Sequence, residues 1–223
     1  MAEEHEKNEE KERIIKEEDR KKLREHFKEL QSPVTIVFFT QEFECQFCRE
    51  THQILTEVSE LSQKISFDVY DFQKDADKAS EFGIDKIPAI LLLGDGKNYG
   101  VRFFGITSGY EFMPLILGIT RVSQKTSQLS PRTVEKIKSL SKDVHIQVFT
   151  TPTCPFCSQA VQTAHQFAIE SDYITSDMVE SVEFPHLAQK YEVFSVPKIV
   201  INETHTFVGA FPEEKFAEEI MKV

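Results

Sequence analysis

Short apolar runs and stretches of helical periodicity alternate along this chain in two similar series. The runs at 34–39 and 145–149 are rich in β-branched and aromatic residues and predict buried strands. A helix is predicted after each run, because inward-facing positions recur every three or four residues. These positions are Cys48, His52, Leu55, Val58 and Leu61 in the first series and Cys157, Ala160, Val161, Ala164 and Ala168 in the second. The pattern predicts a strand–helix unit that occurs twice.

Each series continues with the same order of elements. A strand, a short helix, a strand led by proline, its hairpin partner and a closing helix follow in turn. In the first series these elements are predicted at 65–70, 76–82, 88–93, 100–104 and 111–119. In the second series they are predicted at 173–179, 184–191, 197–201, 205–208 and 212–221, and the pattern of the strand at 173–179 is the weaker one. A helix also precedes each series, indicated by an apolar stripe at 23–30 and by the capping pair Ser130–Pro131.

Recurring motifs align the two series with each other. The segments 37–40, 86–90 and 103–105 match 148–150, 195–199 and 207–209. Cys45 precedes Pro88 by 43 positions, and Cys154 precedes Pro197 by the same 43. We therefore predict a duplicated domain whose units each fold independently. The predicted boundaries are a charged extension at 1–20, read as a frayed or solvated helix, a first unit at 21–122, a linker near 121–129 and a second unit at 123–223.

Composition and charge narrow the function classes. The chain has 223 residues and a formal net charge of −11, which argues against nucleic acid as a partner, because phosphate binding needs a basic face. Residues 1–11 are charged and lack the apolar core of a signal peptide. No apolar run approaches the length of a membrane span, so no membrane association is expected. We expect a cytoplasmic protein.

All four cysteines lie in two Cys-x-x-Cys pairs. Cysteines spaced this closely serve disulfide exchange or metal ligation more often than structural crosslinking. Exchange needs a nucleophilic thiolate and a second thiol that resolves the mixed disulfide. Cys45 and Cys154 are the predicted nucleophiles, because a position at a helix start stabilises the thiolate. Cys48 and Cys157, one turn further on, are the predicted resolving thiols.

Other roles for the four cysteines are less consistent with their spacing. Two Cys-x-x-Cys pairs can form a zinc site, but the usual gap between such pairs is short and here exceeds a hundred residues. Cluster binding, as in some glutaredoxins, and burial as simple core residues are the remaining alternatives. We expect no metal and no bound cofactor.

Residues near the cysteine pairs are candidates for substrate binding. Pro88 and Pro197 open strands at equal distances from the cysteines, where the preceding Ile87 and Val196 could pair their backbone with an extended peptide. An ordinary strand-start proline is the alternative. The aromatic residues inside the pairs, Phe47 and Phe156, either present an apolar face to unfolded clients or are partly buried.

The sequence resembles a known family in these motifs. Cys154-Pro155-Phe156-Cys157 is similar to the active site of glutaredoxins, and Val196-Pro197 at its matching distance resembles the thioredoxin superfamily. The tandem of this motif with Cys45-Gln46-Phe47-Cys48 resembles the protein disulfide oxidoreductases of thermophilic archaea and bacteria, as do the stretches 100–105 and 196–201. The resemblance spans roughly residues 21–223.

The resemblance implies an α/β protein of two tandem thioredoxin-like folds, each a central mixed β-sheet flanked by helices. It also implies cis-prolines at Pro88 and Pro197, a dithiol–disulfide site in each unit, and recycling by a flavin- and NADPH-dependent reductase. Two features depart from thioredoxin: the chain has no tryptophan, and the position of the buried acid falls at an apolar residue, near Phe39 and Val148.

Three functions remain open at the level of sequence. The leading hypothesis is an enzyme that oxidises, reduces or isomerises disulfides of protein substrates. The alternatives are a dedicated electron carrier for a client such as a peroxidase, and a peptide-binding chaperone with regulatory disulfides.

Overall fold

The computed structural model of the protein describes residues 13–43 and 45–223. Its strands and helices follow the predicted order. The strands are β1 Val34–Thr40, β2 Ile65–Asp71, β3 Ala89–Gly94, β4 Lys97–Phe104, β5 Val144–Thr150, β6 Ile174–Glu180, β7 Lys198–Ile201 and β8 His205–Val208. The helices are α1 Glu17–His26, α2 Cys48–Ser59, α3 Ala76–Glu81, α4 Phe112–Gln124, α5 Pro131–Lys138, α6 Pro155–Glu170, α7 Pro185–Lys190 and α8 Glu213–Ile220, with short 3₁₀ turns at Phe27–Glu29 and Gly109–Glu111.

One eight-stranded mixed sheet runs through both halves, in the order β2-β1-β3-β4-β6-β5-β7-β8. Each half contributes four strands with the same pattern: a parallel pair, then an antiparallel partner and a hairpin strand. The halves join where β4 pairs in parallel with β6, with Val101 opposite Ser176 and Phe104 opposite Val179. The duplication inferred from the motifs is therefore present as two copies of one sheet pattern.

Helices cover both faces of this sheet, and the core under each face is continuous across the halves. On one face, apolar side chains of α2, α4, α6 and α8 form a single buried cluster. On the other face, the short helices α3 and α7 cover a second cluster that includes Phe39 and Phe104 of the first half and Phe149 and Val179 of the second. The two halves thus share buried apolar surface.

The beginning of the described chain differs from the predicted solvated extension. Ile15 is buried, and the backbone N–H groups of Ile14 and Ile15 each donate to the carboxylate of Glu57, at 2.9 Å. Arg20 is also buried and forms an ion pair with Glu60 at 3.0 Å. Residues 14–20 therefore pack on α2, because both their apolar and charged groups find partners there. Residues 1–12 of the predicted extension lie outside the described residues.

The predicted linker also overlaps regular structure. Helix α4 continues past the predicted end at Ile119 and ends at Gln124, where Lys125 adopts a left-handed conformation. Arg121 and Val122, within the predicted linker and its boundary, are helical and buried. The division into units at 21–122 and 123–223 stays a prediction. None of the helices in the described part of the chain has the length and apolar character needed to cross a membrane.

Candidate dithiol–disulfide sites

Both cysteine pairs lie at the same edge of the sheet. β1 and β5 run in the same direction. The sheet reverses direction twice between them, at the antiparallel pairs β1–β3 and β3–β4, and keeps it at the parallel pairs β4–β6 and β6–β5. The loops after Thr40 and Thr150 therefore emerge at one edge. Three strands lie between β1 and β5. The two strands are therefore four interstrand spacings apart, or about 19 Å. This separation excludes a joint zinc site, since all four sulfur ligands would have to lie around one ion.

The first site is a disulfide between Cys45 and Cys48, whose Cα atoms are 5.5 Å apart. Cys48 is the first residue of α2 and is buried, whereas Cys45 is half-buried. Phe47 caps the helix through its backbone alone, and the carbonyl of Phe47 accepts the N–H of Thr51 at 2.9 Å. The first site therefore presents its outer sulfur from a loop and keeps its second sulfur in the core.

The second site is a disulfide between Cys154 and Cys157, with Cα atoms 5.4 Å apart. Cys154 is the N-cap of α6, and its sulfur accepts the N–H of Cys157 at 3.2 Å. Pro155 occupies the first helical position, where its missing N–H leaves no hydrogen bond unmade. Cys157 is fully buried. This pair therefore sits directly on the positive end of the α6 dipole.

The two sites differ in where the helix begins. The expectation that a helix starts at the first cysteine is confirmed at Cys154, but α2 begins three residues after Cys45. The physical reason lies in the residues between the cysteines. Pro155 fixes the backbone in a helical conformation, whereas Gln46 carries no such restraint.

The candidate binding residues lie at the same edge as the cysteines. The Ile87–Pro88 and Val196–Pro197 peptide bonds are both cis, as the resemblance implies. Both prolines are buried, and Ile87 and Val196 are half-buried. Each proline directly precedes a strand that pairs antiparallel with the cysteine-bearing strand, so it lies at the edge where that strand ends.

Exposed apolar side chains cluster at the edge near the second site. The side chain of Phe156 is 67% exposed and that of Phe194, in the loop before Pro197, is 91% exposed. Tyr110 and Val182 are also exposed, and both follow strands that run parallel to β5. At the first site the position that matches Phe194 is a charged residue, Asp85, and Phe47 is half-buried. Of the two aromatic residues inside the cysteine pairs, Phe156 is thus exposed to solvent and Phe47 is half-buried.

Two acidic side chains lie beside the backbone that leads to Cys154. Glu111 follows Tyr110, whose N–H donates to the carbonyl of Pro152 at 3.0 Å. A side chain at Gly109 would collide with that carbonyl, so the absence of one permits the close approach. Glu180 pairs with Thr150 at the end of the β5–β6 ladder. Both acids therefore border residues 150–152.

The electrostatics of this acidic cluster keep protons bound near neutral pH. Glu111 is fully buried, and neither of its carboxyl oxygens has a hydrogen-bond partner among the described residues. Burial, followed by the charge of Glu180, raises the pKa of Glu111 to about 8. Burial also raises the pKa of Glu183 to about 7, with the charge of Glu180 adding to the rise and the N–H of Ile106 opposing it.

The sequence pattern did not indicate this cluster. It located the acid position of thioredoxin near Phe39 and Val148, which are fully buried apolar residues in the structure. Glu111 belongs to the first half yet borders the second site, 43 positions before Cys154. It stands at the start of a predicted amphipathic helix, where an acid is ordinarily a surface residue that favours the helix dipole. The sequence therefore carried no signal that Glu111 is buried.

Comparisons with known proteins agree with this geometry. A family model described as a thioredoxin domain matches residues 144–222, which contain the second site. The solved protein disulfide oxidoreductase from Aeropyrum pernix K1 is 36% identical, and the match covers 92% of this chain and 91% of that one with a TM-score of 0.85. The chain belongs to the protein disulfide oxidoreductase family. The expected pair of thioredoxin-like folds is thereby confirmed, and the protein is a thioredoxin-fold oxidoreductase with two Cys-x-x-Cys motifs.

A second group of similar proteins carries a different name. The solved N-terminal domain of the alkylhydroperoxide reductase AhpF from Enterococcus faecalis is 28% identical, with 92% of this chain and 99% of that one covered and a TM-score of 0.86. Curated AhpF proteins of Staphylococcus aureus are 27% identical over 154 residues, or 69% of this chain. The chain spans only 28% of the length of those curated relatives.

Metal binding was the main alternative for the cysteines. Within residues 13–43 and 45–223, no group of three or more His, Cys, Asp or Glu side chains is placed to hold a metal ion.

Proposed function

We propose that the protein catalyses dithiol–disulfide exchange with protein substrates at both cysteine pairs. The observation that carries this proposal is the arrangement of each pair, with the first cysteine in the loop or at the N-cap of the helix and the second held in the core. Cys48 and Cys157 are shielded in the core, while Cys45 and Cys154 form the outer members at one edge of the sheet. This arrangement lets an outer sulfur react with a client and an inner sulfur resolve the product.

Each S–S bond that forms in the exchange replaces one that breaks, and no bound group takes part. In the reducing direction, the thiolate of Cys154 attacks a client disulfide, an S–S bond forms between Cys154 and one client sulfur, and the other client sulfur leaves as a thiolate. Cys157 then attacks Cys154, the Cys154–Cys157 bond forms, and the second client thiolate leaves. Cys45 and Cys48 perform the same steps at the first site, and oxidation of a client is the reverse.

Clients bind along the edge that carries the cysteines. Ile87 and Val196 are proposed to pair their backbone with an extended client segment, next to Pro88 and Pro197. Phe156 supplies an exposed apolar surface for unfolded clients, together with the exposed Phe194. Phe47, which is half-buried, supplies a smaller one at the first site.

Glu111 is proposed to move the proton that resolution requires. Cys157 must lose its thiol proton as it attacks the mixed disulfide, and the deprotonated carboxylate of Glu111 can accept it. The pKa of Glu111 is raised to about 8, which makes its carboxylate a stronger proton acceptor than that of an ordinary Glu. Glu111 thus takes the part of the acid that is missing from the strand before Cys154.

The oxidised or reduced sites must be restored after each cycle. A flavin- and NADPH-dependent reductase of the thioredoxin reductase type is the proposed protein partner for reduction. We also propose that the protein works in the cytoplasm, where paired cysteines are more often catalytic than structural.

A second candidate function is electron transfer to a hydroperoxide reductase. It is favoured by the likeness to the N-terminal domain of the alkylhydroperoxide reductase AhpF, which covers 92% of this chain. A carrier of this kind would reduce one peroxidase rapidly and an arbitrary protein disulfide slowly, and a comparison of the two rates separates the functions.

The experiment that tests the leading proposal is reduction of insulin by dithiothreitol. The intact chain should accelerate it, and Cys45→Ser combined with Cys154→Ser should remove the acceleration. Unchanged turnover in the double variant would show that neither outer sulfur is the nucleophile.

A further inference from the structure

Arg121 is a buried cation that forms no ion pair with any of the described residues. It lies in the last turn of α4, and only 7% of it is exposed. Its Nη2 donates to the side-chain oxygens of Gln128 and Gln162, at 3.2 and 3.4 Å, and its Nε has no partner among the described residues. Within residues 13–43 and 45–223, no carboxylate forms an ion pair with it.

Burial of the Arg121 guanidinium costs free energy unless a negatively charged group binds to it. Burial lowers the pKa of Arg121, because removal from water disfavours the charged form. A charged group taken out of water is normally paired, because desolvation of an isolated ion is strongly unfavourable. The unused Nε and the lack of a carboxylate together indicate a site built for an external anion.

A cavity of about 390 Å³ opens beside Arg121 and leads to the second redox site. Pro155, the residue after Cys154, lines this cavity, and so does Gln162, which contacts Arg121. The other side chains that line this cavity are uncharged, and most carry an amide or hydroxyl group. The cavity can therefore hydrogen-bond a peptide and offers a single positive charge.

The geometry sets the distance between the anion and the reacting sulfur. Pro155 and Gln162 are seven positions apart on α6, which corresponds to about 10 Å along the helix axis. An extended peptide covers that distance in about three residues, at roughly 3.3–3.6 Å per residue. An acid held by Arg121 would thus stand about three residues from a cysteine that reacts with Cys154.

We propose that this cavity is a carboxylate-binding subsite of the second site, in which Arg121 receives an acidic group of the molecule whose disulfide reacts at Cys154. The inference rests on the proposed disulfide exchange and adds a substrate preference to it. The carboxylate belongs either to an acidic residue of a polypeptide client or to a short peptide thiol of the size of glutathione.

The test uses the full chain with Cys45→Ser and Cys48→Ser, so that only the second site reacts. The substrates are two nine-residue peptides with one cysteine blocked as a thionitrobenzoate disulfide, one with Glu and one with Gln three positions from that cysteine. The thiolate of Cys154 bonds to the peptide sulfur, the peptide–thionitrobenzoate bond breaks, and the coloured thionitrobenzoate anion leaves. The chain is reduced beforehand and freed of excess reductant. After thionitrobenzoate leaves, Cys157 attacks Cys154 and the peptide thiolate leaves, so each chain reacts once. The rate of thionitrobenzoate release gives the second-order rate constant of the reaction, and placing Glu on either side of the cysteine and at one or six positions tests the distance.

We expect the Glu peptide to react about tenfold faster than the Gln peptide, the ratio that a charge-assisted hydrogen bond provides. In Arg121→Met the ratio should fall to about one while the rate with the Gln peptide is retained. Arg132→Met removes a charge from an exposed side chain of α5 and should leave the ratio unchanged. Arg121→Met should also unfold at no lower temperature, because an apolar side chain of similar length replaces an unpaired buried charge.

A ratio near one with Arg121 present, or a ratio that survives Arg121→Met, would overturn the subsite while leaving disulfide exchange intact. Failure of both peptides to react would instead overturn the proposed exchange at Cys154, and the subsite with it. Oxidised glutathione distinguishes the two sources of the carboxylate. If Arg121→Met slows its reduction, the subsite takes short peptide thiols; if only the nine-residue Glu peptide is affected, it takes polypeptide clients.

Discussion

Arg102 and Asp177 form a bidentate ion pair across the junction of the two halves. Nε of Arg102 lies 2.7 Å from Oδ1 of Asp177, and Nη2 lies 2.9 Å from Oδ2. Asp177 is fully buried in β6, and Arg102 stands opposite it in β4. Burial alone would raise the pKa of Asp177, but the charges and hydrogen bonds of Arg102 and His145 lower it to about 2.

The first prediction concerns this ion pair. Asp177→Asn should lower the free energy of unfolding by about 3 kcal/mol or more, because it leaves a largely buried guanidinium without its counter-ion. The contribution of Asp177 is present above its unfolded pKa, about 3.8, and is lost as the pH falls through about 2. Urea unfolding at pH 7 and pH 3 should therefore show a smaller difference between the variant and the parent at pH 3.

A matched control for that prediction is Asp95→Asn. Asp95 pairs with Lys125 at 2.9 Å, but both side chains are about half exposed. Its loss should cost at most about 1 kcal/mol. Equal losses for the two variants would contradict the role assigned to the junction pair.

The second prediction concerns the two units. The fragments 13–125 and 126–223, divided within the predicted linker, should each fold, since each holds a four-stranded sheet with its helices, but both should be less stable than the intact chain. Separation exposes β4 and β6 as sheet edges and leaves Asp177 without Arg102. Circular dichroism melts of each fragment and of their mixture measure this, with partial recovery of stability on mixing. Two unfolded fragments would show that the halves form a single folding unit.

The third prediction is that Glu111 weakens the fold as the pH rises. Its folded pKa, about 8, is above its unfolded value of 4.5, so its stabilising contribution is full below pH 4.5 and is lost as the pH rises to about 8. Glu111→Gln should remove this dependence. The stability of the variant relative to the parent should therefore increase by a few kcal/mol between pH 4.5 and pH 8.

The measurement is the free energy of unfolding of both proteins across that pH range. Glu218→Gln, which alters an exposed side chain, serves as the control and should show no such trend. A constant difference between Glu111→Gln and the parent at all pH values would contradict the raised pKa.

The fourth prediction concerns catalysis by the same residue. Glu111→Gln should slow resolution by Cys157 about tenfold or more, a modest part of what general-base catalysis contributes. With the first site silenced by Cys45→Ser and Cys48→Ser, the mixed disulfide between Cys154 and a client should then accumulate and be visible on a non-reducing gel. Cys157→Ser provides the fully trapped reference. Lost turnover without accumulation would place the defect before resolution.

The fifth prediction is that the two sites are unequal, with Cys154 the stronger nucleophile. Cys154 caps α6 and Pro155 holds the first helical turn, whereas Cys45 lies in a loop, three positions after the acidic residue Glu42. A negative charge so close in sequence is expected to disfavour the Cys45 thiolate, and the positive charge of Arg49 to oppose that effect. A difference of about one pKa unit, or roughly 1.4 kcal/mol of thiolate stabilisation, is expected.

Alkylation rates against pH measure that difference in reduced chains that retain only Cys45 or only Cys154. The removal of Cys154 should also cost more activity than the removal of Cys45. A lower thiolate pKa at Cys45 together with a greater loss on its removal would reverse the assignment.

Local signals predicted much of this fold and of its chemistry. The apolar run before Cys154 and the helical spacing after it depend on neighbouring residues only, so β5 and α6 were found in order and type. The equal spacing from Cys45 to Pro88 and from Cys154 to Pro197 revealed the duplication, because it compares the chain with itself. Helix starts were harder: α2 begins at Cys48, since no proline or capping side chain fixes an earlier turn.

The sequence by itself determined the two strand–helix units, the four cysteines as paired thiols and the prolines that accompany them. The tertiary structure alone decided that the two sheets merge at β4 and β6 and that Glu111 from one half borders the site of the other. It also decided that Arg121 is buried with no counter-ion among the described residues. The reason is that the pKa of a carboxyl group and the pairing of a cation depend on burial and on groups distant in sequence. Residue types and their spacing in the sequence therefore do not reveal which carboxyl group has a raised pKa or which cation is unpaired.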